Sequence, residues 1–227
     1  ISFGIKEARL FYLGAGPKLP RVDGPKFFVY IGGGSTELIV GRGLEPVAME
    51  SIAVGCVSLG QGAFPDGRLS AKNFAKARIQ VRLELEPVRQ IFRRYDPVQI
   101  AGTSGSIRAA HSVLMALDRA PQGITAEGLE YLIDEMIAFG QVAKIRLPEL
   151  SAERAEVFPA GVAILVEVMR AMALPRMCVA DGALREGILY DLVGRLTDED
   201  SRVRTVRAMA ARYHADTSQA GRVAATT

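Results

Sequence analysis

Phe27-Phe28-Val29-Tyr30-Ile31-Gly32-Gly33-Gly34-Ser35-Thr36-Glu37-Leu38-Ile39-Val40 is the stretch on which the fold of this chain turns. Five apolar or aromatic residues predict a short buried strand, three glycines break it, and Ser35-Thr36-Glu37 open a second strand through Val40. Strand, turn, strand is a β-hairpin, yet a tight turn needs fewer glycines. Glycine reaches positive φ and carries no Cβ to hold a ligand away. Bare N–H groups followed by two hydroxyls form a cradle for phosphate oxygens. No lysine follows the glycines, and a strand stands where a Walker loop needs a helix. A flexible hairpin tip is the plain alternative.

Upstream, residues 5–13 carry helix formers and meet Gly14 and Gly16, a glycine stop. Glu7 is followed there by Arg9, which on its own reads as solvated charge. Residues 18–26 form a Pro/Gly-rich connector. Downstream, Gly41-Arg42-Gly43 predicts a turn into a third strand over 46–54, then a glycine-rich loop to Gly67 with one helical turn.

Ser70 is placed to cap a helix over 71–95 with Phe74, Ala77, Ile79, Val81, Leu83, Leu85, Val88 and Ile91 inward, kinked or restarted at Pro87. Its other face carries Lys72, Lys76, Arg78, Arg82, Arg89, Arg93 and Arg94, either a solvated face or a weak polyanion surface. A strand over 97–101 runs through Gly102-Thr103-Ser104-Gly105 into a helix over 106–117. A Gly/Ser loop leading into a helix N-terminus is an anion-binding arrangement. Thr125 begins a further helix and Ser151 a long one. A strand over 177–180 then meets Asp181-Gly182 and a helix over 183–196, and a basic helix follows over 198–213.

The bulk numbers exclude some classes. An apolar share of 49% is enough for a sizeable core, and a net charge of +3 suits an anionic ligand without demanding one. Cys56 and Cys178 lack metal-ligand or disulfide spacing and read as small buried hydrophobes in a reduced compartment. No apolar run of these residues is long enough to span a membrane, and no signal peptide is expected. His111 and His214 have no ligand partner three or four residues away.

Ile31-Gly32-Gly33-Gly34-Ser35-Thr36-Glu37-Leu38 resembles the second phosphate loop of the exopolyphosphatase and guanosine pentaphosphate phosphohydrolase family, within the actin, Hsp70 and sugar kinase superfamily. Three more segments match that family in order: Glu7-Ala8-Arg9-Leu10, Gly102-Thr103-Ser104-Gly105-Ser106-Ile107-Arg108-Ala109 and Asp181-Gly182-Ala183-Leu184-Arg185-Glu186-Gly187. The resemblance implies an α/β, actin-like (ribonuclease-H-like) ATPase-type domain: a mixed sheet with flanking helices, plus the start of a helical C-terminal domain. Residues 1–25 are then the end of a first lobe and its connector, 26–196 the second lobe, and 197–227 the start of the helical domain. The first phosphate loop is expected before Ile1 and further helical domains after Thr227, so the chain reads as a segment of a longer protein, inactive alone.

The implied activity is magnesium-dependent, processive removal of terminal phosphate from inorganic polyphosphate. Guanosine pentaphosphate hydrolysis is the near alternative. A non-catalytic polyanion-binding or scaffold module is the alternative of another class. A kinase of the superfamily fits less well, since nothing marks a sugar or acetate site.

By the same resemblance Glu7 is the general base and Glu37 organises magnesium through water. Gly32, Gly33, Gly34, Ser35 and Thr36 form one phosphate loop, and Gly102, Thr103, Ser104, Gly105 and Ser106 a second. Arg108 and Arg185 are phosphate contacts or plain helix-surface charges. Tyr30 departs from the pattern, standing where the family carries a magnesium-organising Asp. A phenol with an ordinary pKa of about 10 is a poor magnesium ligand at neutral pH. The expected setting is a cytoplasmic homodimer, with peripheral contact at the inner membrane left open and no nucleic-acid partner.

Overall fold

The computed structural model describes residues 3–16, 19–20, 22–43, 45–180 and 184–196, and within the first and last helices the side chains of 8–16 and 185–192. The chain divides into two compact units, residues 1–187 and 188–227. The fold below is that of the first, apart from the part of the last helix beyond residue 187; the basic helix expected over 198–213 lies outside the described residues.

Helix α1 (Phe3–Ala15) runs through Gly14 and ends two residues beyond the expected 5–13. Three strands follow: β1 (Lys26–Ile31), β2 (Thr36–Arg42) and β3 (Glu45–Ile52). They form an antiparallel meander in which Tyr30 faces Glu37 and Glu37 faces Ser51. The glycine-rich stretch after β3 is more ordered than its composition predicts, holding an eight-residue helix α2 (Cys56–Ala63). Leu59 and Ala63 are buried there, and this tertiary burial overrides the poor helix propensity of Gly60 and Gly62.

Helix α3 (Ala71–Arg93) is one uninterrupted helix with Pro87 inside it, capped by the Ser70 hydroxyl accepting from Asn73 N–H. Pro87 deprives the Leu83 carbonyl of its donor on the solvent side of the helix, where Leu83 is 70% exposed. Its buried face is narrower than expected: Phe74, Ala77, Val81, Leu85, Val88 and Phe92 are buried, while Ile79 and Leu83 are exposed.

Strand β4 (Gln99–Gly102) pairs parallel to β1 and leads into α4 (Gly105–Ala116). Helix α5 (Ala126–Phe139) is capped by Thr125, as its sequence predicts. The long helix expected from Ser151 is broken into α6 (Ala152–Ala155) and α7 (Phe158–Ala171). Pro159 explains the break: its ring clashes with the carbonyl four residues back, yet proline is favoured in the first turn of a new helix. Strand β5 (Cys178–Val179) pairs parallel to β4, and α8 (Leu184–Leu196) closes the described part.

The sheet order is β3-β2-β1-β4-β5, three antiparallel strands then two parallel ones. With flanking helices on both faces this is the expected mixed sheet of the actin-like fold. Side chains alternate along β1. Phe27, Val29 and Ile31 face the larger core shared with α2, α3, α4, α5 and α7. Phe28 and Tyr30 face α1, through Ala8, Phe11, Tyr12 and Ala15. Tyr12 lies over Gly41, donates to the Gly43 carbonyl at 2.8 Å, and has its phenol pushed up to about 12 by burial.

Candidate functional site

Because β1 and β4 are parallel neighbours, the loops after Ile31 and after Gly102 leave the sheet at the same edge. Parallel strands lie about 4.8 Å apart, so the two loops are adjacent. The carboxyl ends of parallel strands are where ligands bind in α/β sheets. Residues 181–183, which follow β5 in sequence, lie outside the described residues.

The first loop is closed by Gly32 N–H donating to the Ser35 carbonyl at 2.9 Å. None of its three glycines has positive φ. Conformational freedom is therefore not what these glycines supply; the bare backbone is. Gly33 and Gly34 are exposed, and a Cβ on Gly34 would meet nothing within 4 Å. The two hydroxyls are less available than the sequence suggests. Ser35 donates to Glu37 Oε1 at 2.7 Å. Thr36 is fully buried and donates to the Val54 carbonyl at 2.7 Å, tying β2 to the segment before α2.

In the second loop Thr103 N–H continues the ladder to the Val29 carbonyl, and the Ser104 hydroxyl caps α4 by accepting from Ile107 N–H at 3.2 Å. Gly102 has no room for a Cβ against Met177 and Ile107, a packing requirement. Thr103 and Ser106 are buried, and neither hydroxyl has a hydrogen-bond partner among the described residues. Ser106 packs on Gly161 of α7, where a Cβ would lie 2.8 Å from the serine Cβ.

The sequence reading missed one residue here. Arg154 of α6 lays its guanidinium on Gly105: a Cβ there would sit 2.5 Å from Arg154 Cζ and Nη1. Arg154 is exposed and has no ion pair among the described residues. Only its following of a Ser cap at 151 marked it in sequence, and nothing local shows that α6 folds back on α4. Arg108, exposed on the first turn of α4, and Arg185, exposed at the start of α8, also carry no ion pair among the described residues.

Tyr30 stacks on Phe11, with ring centroids 3.4 Å apart at 21°. The ring edge also borders the glycine loop, since a Cβ on Gly32 would lie 3.5 Å from Tyr30 Cε1. Opposite it Glu37 is 0% exposed, its Oε1 accepting from both Ser35 and Ser51. Glu7 is in α1, one turn before Phe11, and its side chain lies outside the described residues.

Magnesium takes one or two carboxylates and keeps several waters. Among the described residues no group of three His, Cys, Asp or Glu side chains converges, position 30 supplies a stacked phenol, and Glu37 is a buried carboxylate tied to Ser35 of the glycine loop; the side chains of Glu7 and Asp181 lie outside the described residues.

The model of the Ppx/GppA phosphatase family matches residues 1–196. Among solved structures, an exopolyphosphatase from Cytophaga hutchinsonii superposes with a TM-score of 0.69 at 19% identity, covering 83% of this chain and 63% of its own. The Aquifex aeolicus PPX-GPPA enzyme gives a TM-score of 0.68 at 22% identity, covering 82% of this chain and 62% of its own. The chain thus spans less than two thirds of the length of either.

Proposed function

The chain belongs to the Ppx/GppA phosphatase family, and from that premise we propose that its strand-end loops hold the terminal phosphate of an inorganic polyphosphate for hydrolysis. The observation that carries this reading is Arg154 on Gly105. A helix N-terminus bears about half a positive charge, and a guanidinium set against it repels that pole. An anion that meets both at once turns the two into favourable contacts, and the orphaned Thr103 hydroxyl of the same loop supplies a further donor.

In the proposed reaction the N–H groups of Gly33 and Gly34 face one phosphate oxygen. Arg154 and the start of α4 neutralise the others. Glu7 takes the proton of the attacking water, whose oxygen bonds to phosphorus as the bridging oxygen leaves with its electron pair. Orthophosphate and a chain shorter by one unit result. Catalysis of this kind is mostly positioning and charge stabilisation. A second lobe, expected from the resemblance, would close over the site and exclude water. Magnesium belongs to the proposal as well: when bound it would neutralise phosphate charge, and Glu37 would hold it through water.

One observation favours a second reading. The Tyr30–Phe11 stack occupies the position of the family acid, which fits a module that binds polyanion without turning it over. Phosphate release from long-chain polyphosphate and from guanosine pentaphosphate, by a form carrying both lobes, separates the possibilities. Faster release from polyphosphate supports the leading proposal, and faster release from guanosine pentaphosphate overturns its substrate. Binding without release favours the module, and neither binding nor release rejects both.

A further inference from the structure

We propose that α2 aims the glycine loop at its ligand and that Gly55 is the positioning residue that lets it do so; the inference rests on the phosphate-site reading above. The first three N–H groups of α2 have no partner within the helix. Here they are spent on the loop. Cys56 N–H donates to the Gly32 carbonyl at 2.9 Å, and Val57 and Ser58 N–H donate to the Gly33 carbonyl at 2.9 and 3.0 Å.

A trans peptide sets its C=O and N–H in opposite directions. The Gly32 carbonyl shares a peptide with Gly33 N–H, and the Gly33 carbonyl shares one with Gly34 N–H. With both carbonyls held against α2, both N–H groups point away from it, at residues that are exposed. Bonding the carbonyls to the positive end of a helix also polarises the two peptides, so their N–H groups become stronger donors.

Gly55 makes the approach possible. A Cβ on it would sit 2.5 Å from Gly34 N and closer still to the Gly33 carbonyl, backbone atoms that cannot swing aside. Its own φ of −130° and ψ of 170° are extended values that any residue adopts. Glycine is needed for closeness here, not for conformation. The Ser58 hydroxyl holds residue 55 in place, accepting from its N–H at 3.1 Å.

The test is the affinity of the 227-residue chain for inorganic tripolyphosphate, measured by calorimetry beside the melting temperature. Gly55→Ala is expected to weaken binding by about tenfold or more, the scale of one lost charge-assisted hydrogen bond. Val57→Pro removes one donor to the Gly33 carbonyl at an exposed first-turn position that tolerates proline, and is expected to weaken binding severalfold. Gly60→Ala, on the same helix with only ordinary contact to Ala160, is the control and leaves affinity unchanged. A merely structural role would lower the melting temperature without altering the affinity of folded protein. Unchanged affinity in both test variants, or an equal loss in the control, overturns the inference and leaves the site reading standing. Absence of tripolyphosphate binding by the unaltered chain overturns both. If Gly55→Ala does not fold, Val57→Pro decides alone.

Discussion

Arg154 sets a guanidinium with no ion pair among the described residues against Gly105, where α4 already presents its positive end. Arg154→Ala should weaken tripolyphosphate binding by about ten- to a hundredfold, the range of a hydrogen bond to a charged group. The melting temperature should barely move, because the side chain is exposed. Equal affinities by calorimetry would remove Arg154 from the site. Tyr30 is the other test at this scale. Tyr30→Asp loses the stack on Phe11 and should destabilise the fold by about 2 kcal/mol in denaturant titration, from a lost aromatic pair and a half-buried carboxylate. It should also create Mn²⁺ binding, read by paramagnetic resonance, that the tyrosine form lacks. Equal Mn²⁺ binding by both forms would show that the metal is held elsewhere. The glycine loop was legible because its composition departs so far from a turn's needs. The commitments of Ser35, Thr36 and Ser104 to Glu37, Val54 and the α4 cap were not, since each depends on a partner chosen by the fold.

At the scale of elements, the basic face of α3 shows the same limit. In sequence it is a stripe of unopposed charge. In the fold Glu167, 3% exposed on α7, takes Arg78 at 2.6 Å and Arg82 at 2.5 Å, while Arg78 also reaches Glu130 of α5 at 3.0 Å. Arg93 donates to the Ala171 carbonyl and Lys76 to that of Gly62. Much of the stripe therefore fastens α3 to its neighbours, through partners up to 89 residues away that no local pattern discloses. Burial pushes the Glu167 carboxyl up, but hydrogen bonds from Arg82 and Arg78 outweigh it and hold the group below the usual carboxylate range. A carboxylate lowered on folding binds fewer protons in the native state, so its stabilisation is complete above the unfolded value, about 4.3, and is lost as pH falls below it. Glu167→Gln should cost about 3 kcal/mol at pH 7, the low end for breaking a buried pair, because Arg82 is 56% exposed and regains water. It should also flatten the fall in melting temperature below about pH 4. Parallel acid profiles for the two proteins would contradict the pairing. The split between α6 and α7, by contrast, is written locally at Pro159, within an apolar periodicity that runs on past it.

At the scale of the whole molecule, the order of strands, their hydrophobic alternation and the two loops were legible because each is written in local pattern. That both loops share one edge follows from the parallel pairing of β1 with β4, a long-range choice the resemblance implied and the chain's own periodicity only permitted. The phosphate chain proposed above binds at the carboxyl ends of these strands, not on the basic face of α3. Amide chemical shifts of the ¹⁵N-labelled chain, followed while pyrophosphate is added, read this directly. The account predicts saturable shifts centred on Gly33, Gly34, Thr103, Gly105 and Ser106, with the amides of α3 little changed. Shifts centred on Lys72 through Arg94, or none at all at either loop, would contradict it.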